Sequence, residues 1–297
     1  MAPDVHANNQ PRWRERSTLL APILGACGGG STGRPDFRGD QMRSIAIGTA
    51  LSGALALAAV TGPAAQADES WGGNTTITAA TVNGGKPIAV GISNVVTFPA
   101  SVTATDPDGI DTAGVYVWHG SSEENTDMSV PHGSRTCTAV DSTTKTCSVT
   151  FTLNPRDLGK NSWAGQWNVA VDAFDKGNGG ISLDAYKHAY IQRYSKLSVN
   201  ASPEPVTKGK TITVTGKLTR ANWETHDYRG YTNQPVKLQF RKAGTSTYTT
   251  VKTAYTNSTG NLKTTVTASS DGYWRYYFSG TSTTATVKTA GDYVDVR

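Results

Sequence analysis

Three carboxylates fall within six residues at Asp106-Pro107-Asp108-Gly109-Ile110-Asp111 of this 297-residue chain. Hard oxygen donors around a glycine turn suit calcium, which gathers about 6–8 oxygens from a flexible loop. Asp172 and Asp175, in DAFDKGNG, are placed to join them from a neighbouring loop. The metal-site expectation is therefore Asp106, Asp108, Asp111, Asp172 and Asp175, with Ca2+ as the cofactor. The competing reading is an Asp/Gly turn whose side chains bond their own backbone. The loop also lacks the EF-hand pattern, with no glutamate at the twelfth position and with Pro107 where a flexible residue would sit.

The second concentration lies in Ala221–Gln234, where Trp223, His226, Asp227, Tyr228, Arg229 and Tyr231 crowd one long loop. Long loops in compact domains are often binding elements. Aromatic faces beside Arg and Asp suit a carbohydrate, through stacking and bidentate hydrogen bonds, or a protein partner. These six residues are the expected ligand- or partner-binding set. The alternative is an excursion that packs its rings back over the edge of its own domain.

Catalysis finds little support. After residue 67 the histidines are His119, His132, His188 and His226, none at H-x-x-x-H spacing. That stretch also lacks a G-x-S-x-G elbow and an H-E-x-x-H helix. Glu123-Glu124 reads as a solvated turn. The chain is expected not to be an enzyme. Trp167 and Trp274 run in phase with core valines; Trp118 is out of phase with Val115 and Val117. Exposed aromatics there, or at Trp71 and Trp163, would make a polysaccharide platform.

The elements that must position these groups are strands. Beyond residue 68 the chain is rich in Thr, Val, Ser, Gly, Asn and Tyr, with period-2 alternation and turn residues every eight to twelve positions. Val96, Phe98, Ala100, Val102 and Ala104 share one face, as do Cys147, Val149, Phe151 and Leu153. Trp167, Val169, Val171 and Ala173 share another. This pattern predicts antiparallel sandwiches. A boundary near 194–208, with Pro203 and Pro205, divides an N-terminal sandwich (68–195) from a C-terminal one (196–297). The fold class expected is all-β: two tandem immunoglobulin-like β-sandwich domains after a cleaved signal peptide. A very short linker would limit their relative orientations.

That signal occupies 42–67: Arg43, an apolar stretch from Ile45 to Val60, and Ala65-Gln66-Ala67 as the cleavage site. Residues 1–41 read as a leader without packed structure. The working chain is then exported, starts near Asp68, and has no membrane span. Cys137 and Cys147 survive processing and read as one disulfide in an oxidising compartment. Residues 68–195 hold 8 Lys/Arg against 13 Asp/Glu, net −5, while 196–297 hold 14 against 6, net +8. Two separately evolved soluble domains explain this. So does attraction of the basic domain to anionic polymer of a cell wall. Nucleic acid is not an expected partner, because export removes access and no nucleic-acid motif is present.

The strings SPEPVTKGKTITVTGKLTRANWE, PVKLQFR, DGYWRYYFSG and GDYVDVR resemble, in that order, a secreted actinobacterial immunoglobulin-like module over about residues 196–297. TATDPDGID and AGQWNVAVDAFDKGNG resemble similar extracellular modules more loosely. The resemblance implies the sandwich fold and export. It carries no catalytic residues, and some members of that family bear a calcium-binding label. A cell-surface polysaccharide or protein is the expected partner and the exterior or cell wall the expected location. A structural spacer or matrix role is the alternative.

Overall fold

The computed structural model describes residues 69–123 and 125–297; the expected leader (1–41), the expected signal peptide (42–67), Asp68 and Glu124 lie outside the described residues. The first domain contains β1 (Glu69–Trp71), β2 (Thr76–Val82), β3 (Ile88–Val90), β4 (Val96–Thr105), β5 (Ile110–Gly120), β6 (Thr126–Ser129), β7 (Thr136–Ala139), β8 (Thr144–Leu153), β9 (Gly165–Asp175) and β10 (Gly180–Arg193). The second contains β11 (Ser195–Leu197), β12 (Asn200–Ser202), β13 (Thr211–Asn222), β14 (Asp227–Gly230), β15 (Pro235–Lys242), β16 (Thr249–Tyr255), β17 (Asn261–Thr267), β18 (Gly272–Phe278), β19 (Val287–Lys288) and β20 (Asp292–Val294).

In the first domain the sheet β2-β4-β8-β7 faces the sheet β1-β10-β9-β5-β6, with β3 added to β10. The alternation in the sequence becomes the core. Phe98, Ala100, Val102 and Ala104 of β4 meet Cys147, Val149, Phe151 and Leu153 of β8, and Trp167, Val169, Val171 and Ala173 come from the opposite sheet. Phe98 and Phe151 stack at 5.3 Å between centroids. Each fully buried large apolar side chain contributes about 1.5–3 kcal/mol to folding. One pairing departs from the antiparallel pattern: β3 runs parallel to β10, with Ile88 opposite Ile191. Pro99 lies just past the point where β2 stops pairing with β4, so its missing N–H falls at a local edge.

Strand β5 is buried on both faces. Val115 and Val117 point into the core, yet Trp118 on the other face is only 3% exposed. A bulge in β10 between Leu183 and Lys187 lets Asp184 reach across, and Trp118 Nε1 donates to its carbonyl at 3.0 Å. Trp118 therefore offers no open platform. Trp71 and Trp163 are half-buried, the former 5.8 Å from the Phe174 ring.

Cys137 stands directly opposite Cys147 in the β7–β8 pair and is bonded to it, stapling adjacent strands. The intervening turn is closed by Asp141, whose Oδ1 accepts from the amides of Thr143 (2.8 Å) and Thr144 (2.7 Å). Those bonds, with that from the Thr143 hydroxyl first, hold its carboxyl below the ordinary aspartate value.

In the second domain β13 carries β11, β12, β14 and β17, and this sheet faces β16-β15-β18-β19, with β20 also on β18. Ile212, Val214, Leu218, Val236, Leu238, Leu262, Trp274, Tyr276 and Phe278 fill the space between them. Tyr276 is fully buried, and its hydroxyl donates to the Val214 carbonyl at 3.0 Å. Burial raises its pKa above that of a free tyrosine.

Candidate functional site

The loop singled out for its aromatics forms a junction. β13 and β14 make a hairpin whose tip is Trp223–His226, with His226 in the left-handed region (φ 52°). Asn222 shapes that tip: its Oδ1 accepts from the Glu224 amide at 3.1 Å. The tip leaves its own sandwich and enters the end of the first. Trp223 is 0% exposed and belongs, with Ala221, to the first domain's core. Its Nε1 donates to the carbonyls of Val90 (3.3 Å) and Gly91 (3.1 Å).

Polar contacts close around the ring. Asn161, in a one-turn 3-10 helix of the first domain, donates from Nδ2 to Asn222 Oδ1 at 2.7 Å and accepts from the Trp223 amide at 3.0 Å. Its own amide donates to Glu224 Oε1 at 2.9 Å. One residue separates β10 from β11. Arg193, at the end of β10, donates from Nε to the Ala221 carbonyl. Burial, and then the neighbouring Arg220 charge, lowers the Arg193 guanidinium to about 10, still protonated at neutral pH. The β18–β19 loop adds a second strap. The Arg193 amide donates to Thr283 O (3.0 Å), Ala285 N to Arg193 O (3.0 Å) and Ser195 Oγ to Ala285 O (2.7 Å). Both sandwiches fall within one compact unit.

The other members of the expected binding set divide. Tyr228 packs on the first domain's core, with Lys196 Nζ 3.7 Å above its ring. Asp227 and Arg229 pair with each other at 3.1 Å. The Thr225 hydroxyl and then Arg229 hold the Asp227 carboxyl below its ordinary value. Tyr231 meets Phe278 edge-on at 5.7 Å under the Arg220 guanidinium. Trp223 has no face left for a ligand, which corrects the expectation for that residue. The rings do fold back, but the tip docks on the neighbouring domain and not on its own.

The five expected calcium ligands are only partly brought together; a Cβ on Gly177 would stand 3.3 Å from Asp175 Oδ1 and 3.5 Å from Asp108 Oδ2. Asp106 and Asp175, 2% and 5% exposed, do meet at one end of the first sandwich, where Thr75 Oγ1 lies 3.0 Å from Asp106 Oδ2 and 3.3 Å from Asp175 Oδ2. Their other oxygens serve their own turns. Asp106 Oδ1 accepts the Asp108 amide (2.8 Å), and Asp175 Oδ1 accepts those of Gly177 (2.7 Å) and Gly179 (2.8 Å). Any side chain at Gly179 would strike Asp175, since a Cβ there would stand 2.3 Å from Oδ2. Asp111 is exposed on β5. Asp172 faces the opposite way from Asp175 and accepts from the Tyr116 hydroxyl at 3.0 Å. Arg135 donates to that same hydroxyl at 3.0 Å. Burial first, then the Asp172 charge, pushes Tyr116 up to about 12. Among the described residues no group of three or more His, Cys, Asp or Glu is placed to hold a metal ion. The donors as arranged do not fit a calcium shell of about 6–8 oxygens. The amide bonds to Asp106 and Asp175 are those of Asp/Gly turns.

Strand order defines the architecture. In the first domain the sheet β2-β4-β8-β7 faces one built on the neighbouring strands β10, β9 and β5, a cross-connected order of the immunoglobulin-like sandwich. In the second, β13 and β17 face β16-β15-β18-β19 in the same manner. The fold is immunoglobulin-like. No protein-family model matches the sequence, and no curated protein does. Among solved structures, the chain is similar to the titin I-band fragment I67–I69, at 12% identity and a TM-score of 0.29, over 78% of this chain and 66% of that one. It is also similar to the three N-terminal domains of the bacteriophage RB49 Hoc protein, at 11% identity and a TM-score of 0.30, over 75% and 70%. A third is the Yersinia pseudotuberculosis adhesin InvE, at 13% identity and a TM-score of 0.25, over 74% and 58%. The chain thus spans just under two thirds of the titin fragment's length.

The outer face of β15 and β18 holds polar side chains outside the expected site set. With Val236, Leu238 and Phe240 pointing inward, Lys237, Gln239 and Arg241 must point out; with Trp274, Tyr276 and Phe278 inward, Tyr273, Arg275 and Tyr277 must point out. The alternation that located the core also located this face.

Proposed function

We propose that this chain is an exported, non-enzymatic binding or adhesion module whose two sandwiches act as one stiff unit. The observation that carries the reading is the complete burial of Trp223 of the second domain in the end of the first. A ring held by two carbonyls, an amide pair and a second strap fixes the angle between the domains. Any face on one domain is thereby presented in a constant direction relative to the other. Export is supported by the signal pattern at 42–67 and by the Cys137–Cys147 bond, of a kind that persists in oxidising compartments. Among the described residues no helix is long and apolar enough to cross a membrane. The partner in this reading is a cell-surface polymer or protein, and the location is extracellular or cell-wall associated. A purely structural spacer is the second reading, favoured by the same junction.

The test uses the full chain expressed in a bacterial host. The expected product lies outside the cytoplasm with its N-terminus at Asp68, and labelled protein binds isolated bacterial envelopes saturably. Uncleaved protein retained in the cytoplasm would refute the reading. Export without saturable envelope binding would leave the spacer.

A further inference from the structure

The outer face of the β16-β15-β18-β19 sheet carries a lattice of cations and rings. Lys237 of β15 stands opposite Tyr277 of β18, which stands opposite Lys288 of β19, so one ring lies between two lysines in adjacent strands. One step along, Gln239 stands opposite Arg275. Gln239, Arg275, Tyr277 and Lys288, with Thr286 and Val287, line a depression of about 310 Å³, and Lys237 stands outside this lining, opposite Tyr277. Arg275 is held before any ligand arrives: its Nε donates to Gln239 Oε1 at 2.8 Å, and its guanidinium stacks 3.7 Å from the Tyr248 ring centroid. Gln239 is itself buried. Arg275 makes no other side-chain hydrogen bond among the described residues, so its two terminal nitrogens are open. Nor do Lys237, Arg275 or Lys288 pair with a carboxylate among those residues, where the ion pairs are His119–Asp127, Arg229–Asp227 and Arg297–Asp295. The domain that carries them is the basic one, net +8 from 14 Lys/Arg and 6 Asp/Glu over 196–297.

We infer that this depression binds an acidic polysaccharide whose carboxylate is carried on the sugar ring itself. A pinned, planar guanidinium matches a carboxylate bidentately. Tyr277, two residues along the same strand face and so about 6.5 Å away, supplies a surface for the attached ring to stack on. Lys288 and Lys237 flank that ring and add charge for the next acidic units. Ring and charge in one sugar fit this spacing, whereas a neutral glycan would leave three cations without a counter-charge. One wall of the depression, Thr286–Lys288, continues directly from the loop strapped to Arg193 and Ser195, so the domain junction also holds the site in shape. The inference rests on the reading of the chain as a binding module and names its ligand.

The test is affinity electrophoresis and calorimetry of the full chain with polygalacturonate at low salt, with dextran and poly(glycerol phosphate) as comparison polymers. Expected is binding to polygalacturonate that weakens at least tenfold in Arg275→Gln and in Tyr277→Ala and weakens with added salt. Lys263→Gln, on the opposite sheet, should bind as wild type. Lys288→Gln, an exposed substitution, supplies a variant whose folding is not at stake. No binding to polygalacturonate, equal binding to dextran, or binding indifferent to all three groove variants would overturn the inference. Equal binding to poly(glycerol phosphate) with no loss in Tyr277→Ala would do the same, because charge alone would then explain it. Envelope binding that persists without polygalacturonate binding removes only this inference; loss of both removes the functional reading as well.

Discussion

Replacing Trp223 by alanine tests the junction most directly. An aromatic ring of this kind removes about 200 Å² from water, which at about 25 cal/mol per Å² is an upper bound near 5 kcal/mol. Measured truncations of buried Trp fall at about 3–5 kcal/mol, so about 4 kcal/mol is expected for a side chain that is 0% exposed. For a chain of this size each kcal/mol moves the melting temperature by about 2–4 °C, giving a fall of about 8–16 °C. The ring bridges two domains, so the loss falls on their coupling. Scanning calorimetry should show one transition for the wild type and two separated transitions for Trp223→Ala, and small-angle scattering should show a broader range of inter-domain distances. Trp223→Phe keeps most of the apolar area and loses the bonds to Val90 and Gly91, so it should cost about 1 kcal/mol and keep the single transition. A Trp223→Ala protein with one transition within about 2 °C of wild type and unchanged scattering would refute the reasoning.

Three further outcomes are expected. Reducing the Cys137–Cys147 bond, or replacing both cysteines by serine, should lower stability by about 3 kcal/mol in urea titrations, from the chain entropy of a short closed loop. Millimolar calcium should leave the melting temperature unchanged; a rise that Asp106→Asn abolishes would establish the metal site. Tyr116 sits at about 12 in the fold, so its neutral form is favoured there. Its contribution is complete below the unfolded value of about 10 and is lost as the pH climbs through the folded one, a change of roughly 3 kcal/mol. Urea titrations across that alkaline window should show this loss in the wild type and a smaller one in Tyr116→Phe; identical slopes would count against the assignment.

What the sequence determined by itself was local. Strand parity fixed which residues of β4, β8, β9, β15 and β18 face a core, because successive side chains in a strand must point to opposite sides. The same parity separates Asp172 from Asp175, three positions apart on β9, and turns Lys237, Arg275 and Tyr277 outward. The disulfide was legible because the turn residues Asp141–Thr144, between cysteines ten positions apart, bring two strands side by side. Only the tertiary structure decided where Trp223 goes: the carbonyl its indole reaches belongs to Val90, 133 positions away. It likewise decided that Trp118 is covered, since the covering backbone at Asp184 lies 66 positions further along. Parity says that a side chain leaves its own core. Whether water or another domain waits on the far side depends on contacts between distant segments, which no local pattern encodes.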